Sequence, residues 1–165
     1  MPRVPTNKQV SARTEIDPAD TRKEIKRLLT KYHATAFAFS HDDEFGFDAL
    51  QFKLDKQTYR LTIRHPKLTD DEIALDKLGR WIPQNRRPAR RDQIIRQRWR
   101  QLKFYVHAAL DAKESGLLTL DEAFFAYLVI PDGRTMREWM QDSVAEIERT
   151  GAPPALPAPR QRREP

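Results

Sequence analysis

The chain has 165 residues, a net charge of +6, 39% hydrophobic and 33% charged residues, and no cysteine. That length supports one domain with a core that needs no staples, and the missing thiols exclude disulfides and thiolate metal sites. The opening MPRVPTNKQVSART has no apolar stretch for a signal peptide, and no run approaches the roughly 20 apolar residues of a spanning helix, so a soluble cytoplasmic protein is expected.

Residues 1–16 carry Pro2, Arg3, Pro5, Lys8 and Arg13 without apolar periodicity and are expected to form a flexible basic tail. A helix then starts at Asp17, a good N-cap followed by Pro18 and by Asp20 in the first turn. Ile25, Leu28, Leu29 and Tyr32 give it one apolar side, and it should end near His33. Three strands follow, over 35–40, 49–54 and 58–64, with Asp55-Lys56-Gln57 as a short hairpin turn. Alternation puts Phe37, Phe39, Leu50, Phe52, Leu54, Tyr59, Leu61 and Ile63 inward, and Lys53, Arg60 and Arg64 outward. A sheet wet on one face needs helices on the other.

Thr69-Asp70-Asp71-Glu72 reads as a capping box opening a helix that runs to about Gly79. Residues 83–91 form a proline-containing loop. The longest helix is expected from about Arg90 to Ser115, stopped by Gly116, with Ile95, Trp99, Leu102, Val106, Ala109 and Leu110 on its packed face. Thr119-Leu120-Asp121-Glu122 and Thr135-Met136-Arg137-Glu138 open two more helices, the last ending near Arg149. Residues 150–165 are a Pro/Arg-rich tail with polyproline character. The expected architecture is a single α+β domain over 17–149, with a three-stranded antiparallel sheet packed by about five helices.

Charge is polarised along this framework. From Arg80 to Arg100 there are eight arginines and one acid, Asp92, whereas Asp111 to Glu148 holds nine acids and three bases. On the long helix Arg96, Arg100, Lys103 and His107 are spaced 4, 3 and 4, which keeps them within about 60° of one another and about 100° from the apolar face. Arg86, Arg87, Arg90 and Arg91 extend this stripe. Closely set guanidinium groups suit phosphate, and Phe104 and Tyr105 offer stacking surfaces nearby. The competing expectation is that these cations pair with the acidic C-terminal helices. Lys53, Arg60 and Arg64 on the outer sheet face form a second candidate contact surface.

No catalytic set emerges. His41-Asp42-Asp43-Glu44 with Asp48 is the one dense group of hard ligands, of a kind that holds Mg²⁺ or Ca²⁺, yet it lies where a turn is expected and names no ligand from a second element. His33, His41, His65 and His107 share no H-x-x-x-H spacing, and the five glycines form no phosphate-cradling loop. No metal site and no cofactor are therefore assigned. Trp81, Trp99 and Trp139 fall at apolar helical positions or helix ends and are expected to pack in the core.

The run 96–140 carries Arg98-Trp99-Arg100, Ser115-Gly116, Glu122-Ala123-Phe124, Pro131-Asp132-Gly133 and Glu138-Trp139-Met140. Together with Tyr32, Ala34-Thr35, Phe37 and GAPPALP at 151–157, this pattern resembles a family of small phage and prophage proteins over roughly residues 20–157. The resemblance implies a mobile-element setting near replication and recombination, or interference with host defence, and transfers no functional residue. The expected function is non-enzymatic DNA or RNA binding through the 86–107 stripe. The alternative is a protein-binding inhibitor or adaptor acting on a host protein, and a small metal-dependent nuclease comes third.

Overall fold

The computed structural model describes residue 11 and residues 13–152. The tails expected at 1–16 and 150–165 lie mostly outside the described residues. Helix α1 spans Pro18–Lys31, with the Asp17 carboxylate accepting from the Ala19 amide, so proline and cap act as the sequence indicates. Strands β1 (Ala36–Asp42), β2 (Phe47–Leu54) and β3 (Gln57–Arg64) form an antiparallel sheet in the order β1-β2-β3. Leu54 pairs with Gln57, which makes β2–β3 a two-residue hairpin. Both turn residues, Asp55 (φ 47°) and Lys56 (φ 70°), are left-handed, as a turn matching the strand twist requires, although neither is glycine.

The register brings Phe37 opposite Phe52 and Phe39 opposite Leu50 on one side, and Leu50 opposite Leu61 and Phe52 opposite Tyr59 on the other. These inward rows meet α1 and the long helix α3 (Arg87–Glu114). Ile25, Leu29, Phe52, Tyr59, Trp99, Val106, Leu110 and Phe124 are buried together as the main core. Burying each large apolar side chain contributes about 1.5–3 kcal/mol. No helix among the described residues is long and apolar enough to cross a membrane.

Two helical expectations change. The helix foreseen over 69–79 is only α2, Asp71–Ala74, and no side-chain cap closes its start. The Asp70 carboxylate accepts instead from the Lys67 amide, and the Glu72 carboxylate goes to Arg98 rather than back to its own N-terminus. Beyond Ala74 the chain is extended at Leu75, which bridges to Trp81. Arg90 takes the freed carbonyls of Glu72 and Leu75, so a long-range guanidinium replaces the next helical turn. The second change is that α3 begins at Arg87, preceded by a 3-10 turn at Gln84–Arg86, because Pro88 fits the first turn of a helix.

The chain closes through α4 (Leu120–Phe124), a 3-10 turn at Phe125–Tyr127, and α5 (Met136–Thr150). Thr119 with Glu122 and Thr135 with Glu138 form reciprocal capping boxes, as their spacing indicates. Gly151 (φ 70°) ends α5 in the left-handed conformation.

Candidate functional site

The expected basic stripe is dispersed by the fold. Rather than facing solvent, Arg100 is buried, 8% exposed, and donates to Glu24 of α1 at 2.8 Å. Lys103 lies 3.4 Å from the same carboxylate. Burial raises the Glu24 carboxyl, but Arg100 and Lys103 outweigh it and hold the group below the ordinary glutamate value. Arg96 donates to the Gln93 side chain, and its Nε is buried without an acceptor among the described residues. His107 is exposed. The reason is geometric: α1 packs beside α3 on the same sheet face, and Glu24 of α1 meets Arg100 and Lys103 on the side of α3 that the helix periodicity turns away from the sheet.

At the N-terminal end of α3, Arg87 donates to the carbonyls of Ile82 and Leu68, and Arg90 to those of Glu72 and Leu75. Arg86 is exposed, and Arg91 is half-buried with its Nε lacking an acceptor among the described residues. On the outer sheet face Lys53 and Arg64 are exposed, while Arg60 donates to Glu138 at 2.8 Å. That ion pair joins the sheet, not the stripe on α3, to an acidic C-terminal helix; on α3, Arg100 pairs with Glu24 and Arg98 with Glu72, both N-terminal to the helix in sequence.

Trp99 and Trp139 are in the core, as expected, but Trp81 is 72% exposed. The loop between α2 and α3 is tied by the Asp76 carboxylate, which accepts from the amides of Leu78 and Arg80 and from Arg80 Nε. Ile82 donates back to the Ala74 carbonyl. With its backbone so engaged, the loop presents the indole outward, with the Arg87 guanidinium 5.5 Å from the ring centroid. A hollow of about 530 Å³ lies beside it, lined by Asp76, Arg80, Trp81, Pro83, Arg86 and Arg90.

The second polar assembly closes one end of the sheet's packed face. His41 stands in the inward row of β1 after Phe37 and Phe39, and Asp48 in the inward row of β2 before Leu50 and Phe52. The two are register partners, and His41 Nδ1 lies 2.6 Å from Asp48 Oδ1. His65 follows β3, with its amide donating to Gly46, and places Nε2 3.0 Å from Asp48 Oδ2. Trp99 Nε1 donates to the same oxygen at 2.8 Å. Burial opposes the Asp48 charge, yet contacts from His41, His65 and the Trp99 indole hold its carboxyl below the usual aspartate range. Asp48 and Asp43 in turn raise the His41 imidazole above its ordinary value.

The turn foreseen around 41–48 is therefore shorter than expected, and the acids within it separate. Asp48 is inward and buried, while Asp43 is exposed and holds His41 Nε2 at 2.9 Å. Strand phase carries this signal in the sequence: Asp48 is two residues from Leu50, and His41 two from Phe39, each in step with an apolar row. The exposure of Trp81 has no such signal, since it follows from the early end of α2.

Comparison with protein-family models, with curated proteins and with solved structures finds no match.

Proposed function

We propose that this protein is a non-enzymatic accessory factor that binds single-stranded nucleic acid at the Trp81 hollow and the N-terminus of α3. The observation that carries the reading is the exposed Trp81 indole in a ring of arginines: Arg80, Arg86 and Arg87. A flat, exposed aromatic ring offers a stacking surface to an unpaired base, and nearby guanidinium groups suit the adjoining phosphates. The helix dipole adds to this. The first turn of α3 contains no acid, while Arg86, Arg87, Arg90 and Arg91 crowd its positive end, an arrangement that an anion relieves. The expected 86–107 contact surface thus contracts to its first part, since Arg100 and Lys103 are engaged by Glu24. A phage- or prophage-type protein working beside replication or recombination would meet such single strands.

Titration of short oligodeoxythymidine and oligouridine into the protein, followed by tryptophan fluorescence, tests the reading. Trp99 and Trp139 are buried, so quenching reports Trp81. Trp81→Ala, followed by the anisotropy of a labelled oligonucleotide because the reporting indole is gone, should weaken binding by about 1–3 kcal/mol, the usual worth of one stacked base. Arg86→Gln should flatten the salt dependence by about one unit. The second reading, a protein-docking loop, rests on Leu78, which is 75% exposed on the same loop as Trp81. Tryptophan and arginine are frequent anchors of such contacts. Absence of quenching by either oligonucleotide at low salt would leave that reading in its place.

A further inference from the structure

At the end of the sheet opposite the hairpin, two imidazoles and a carboxylate converge where the apolar rows stop. One ligand atom from each of His41, Asp48 and His65 falls within a cluster no more than 4.8 Å across. We propose that these three side chains form a binding site for a divalent transition-metal ion, Zn²⁺ in the first place, independent of the nucleic-acid surface at Trp81. The donors are two neutral-capable nitrogens and one oxygen, the borderline set that suits Zn²⁺ and its neighbours rather than Mg²⁺ or Ca²⁺.

Three features of the cluster favour an ion over a purely structural hydrogen-bond network. The first is His65 Nε2, which is buried and has no hydrogen-bond partner among the described residues. It lies 3.0 Å from Asp48 Oδ2, close enough for charge attraction but outside hydrogen-bond geometry. The His65 side chain is only 7% exposed, so water does not satisfy that nitrogen readily. A metal ion accepts its lone pair directly.

The second feature is the orientation of His41. Its Nε2 is held by the Asp43 carboxylate at 2.9 Å, which leaves Nδ1 turned toward Asp48. A ligating histidine commonly has its far ring nitrogen fixed by a carboxylate in this way. The third is the Trp99 indole, which donates to Asp48 Oδ2 and so leaves Oδ1 beside His41 Nδ1. The carboxylate is thereby aimed by a rigid, buried ring before any ion arrives. Metal–ligand bonds of about 2.0–2.2 Å place tetrahedral donors roughly 3.4 Å apart. The donors here lie 2.6 and 3.0 Å from the Asp48 oxygens and all within 4.8 Å of one another, so sub-ångström side-chain shifts would admit an ion. His41 is half exposed, so the ion would have a path from solvent and a coordination position open to it.

Protein freed of metal with a chelator, then titrated with Zn²⁺ by calorimetry, should bind a single ion per chain and melt at a higher temperature. His41→Ala and Asp48→Asn, each confirmed as folded by circular dichroism, should each weaken binding about tenfold or more. His33→Ala and His107→Ala, which remove exposed histidines elsewhere, should leave it unchanged. A measurement on the unaltered chain keeps the test open should a variant fail to fold: Zn²⁺ should shift the imidazole ¹⁵N resonances of His41 and His65. Shifts confined to His33 and His107, unchanged affinity in both ligand variants, or no saturable binding would each overturn the proposal. Loss of oligonucleotide binding in Trp81→Ala leaves this test unaffected, so the two readings fail separately.

Discussion

Arg100 of α3 and Glu24 of α1 form an ion pair of 2.8 Å in which the guanidinium side chain is 10% exposed. Lys103 approaches the same carboxylate, so one acid on α1 organises two cations that an isolated reading of α3 would turn to water. The pair joins the two helices that cover the sheet, and its worth is structural.

The triple variant Arg96→Gln, Arg100→Gln, Lys103→Gln should therefore lose stability. Removing the cations leaves Glu24 half-buried without a counter-charge, at a cost of about 1–3 kcal/mol after allowance for its partial exposure. For a domain of this size that corresponds to a fall in Tm of roughly 3–9 °C. Nucleic-acid affinity measured on the folded variant should change far less than it does in Trp81→Ala. An unchanged Tm with a collapse in affinity would reinstate the stripe as the contact surface.

Acid should reveal the same contacts. The carboxyls of Glu24 and Glu138 are held below the ordinary glutamate value, the first by Arg100 and Lys103 against burial, the second by the Thr135 amide and Arg60 against burial. A carboxyl depressed in the folded state contributes stability that is complete above its unfolded pKa of about 4.3 and is lost as pH falls through the folded value. Denaturant melts between pH 7 and pH 3 should thus show stability dropping below about pH 4.5, with a shallower drop in Glu24→Gln. Equal slopes for the two proteins would show that Glu24 is not depressed.

Strand phase and capping chemistry made most of the fold legible. Phe37 and Phe39, then Leu50, Phe52 and Leu54, then Tyr59, Leu61 and Ile63 alternate cleanly, and the boxes at Thr119 and Thr135 mark helix starts that the structure contains. What escaped depends on partners distant in sequence. Glu72 looks like a capping residue until Arg98, 26 positions away, takes its carboxylate. Arg100 looks exposed until α1 is laid beside α3, although Glu24, one helical turn before the half-buried Leu28, already stands on the α1 side that could receive it. His41, Asp48 and His65 come from three segments, and only the pairing of β1 with β2 and the return of His65 beside Gly46 unite them.

The hairpin turn offers a stabilising change. Lys56 adopts φ 70°, a conformation that costs a residue with a Cβ about 1 kcal/mol or more, whereas glycine adopts it freely. Lys56→Gly should raise stability by roughly 0.5 kcal/mol after the added flexibility of the unfolded chain is deducted. Asp55 should be left in place, because it lies 3.3 Å from Lys113 of α3. A lower denaturant midpoint for Lys56→Gly would show that the lysine side chain contributes more than its backbone costs.

The buried bond from Trp99 Nε1 to Asp48 Oδ2 should behave as one coupled unit in the metal-free protein. The indole is 1% exposed and packs at a tilt against Phe39, with the Arg22 guanidinium 5.3 Å from its ring centroid. Trp99→Phe deletes the donor and part of the ring, and should cost about 2–4 kcal/mol from lost packing and an under-satisfied carboxylate. Asp48→Ala strands the indole N–H at the edge of the core, removes the hydrogen-bond partner of His41 and takes away the charge facing His65, at a cost of about 2–4 kcal/mol. The double variant leaves neither group waiting for the other, so its loss should fall short of the sum by about 1–2 kcal/mol. Denaturant midpoints of the four proteins, taken with chelator present, give that coupling directly. Strict additivity would mean that the indole holds its place by packing alone and does not orient the carboxylate.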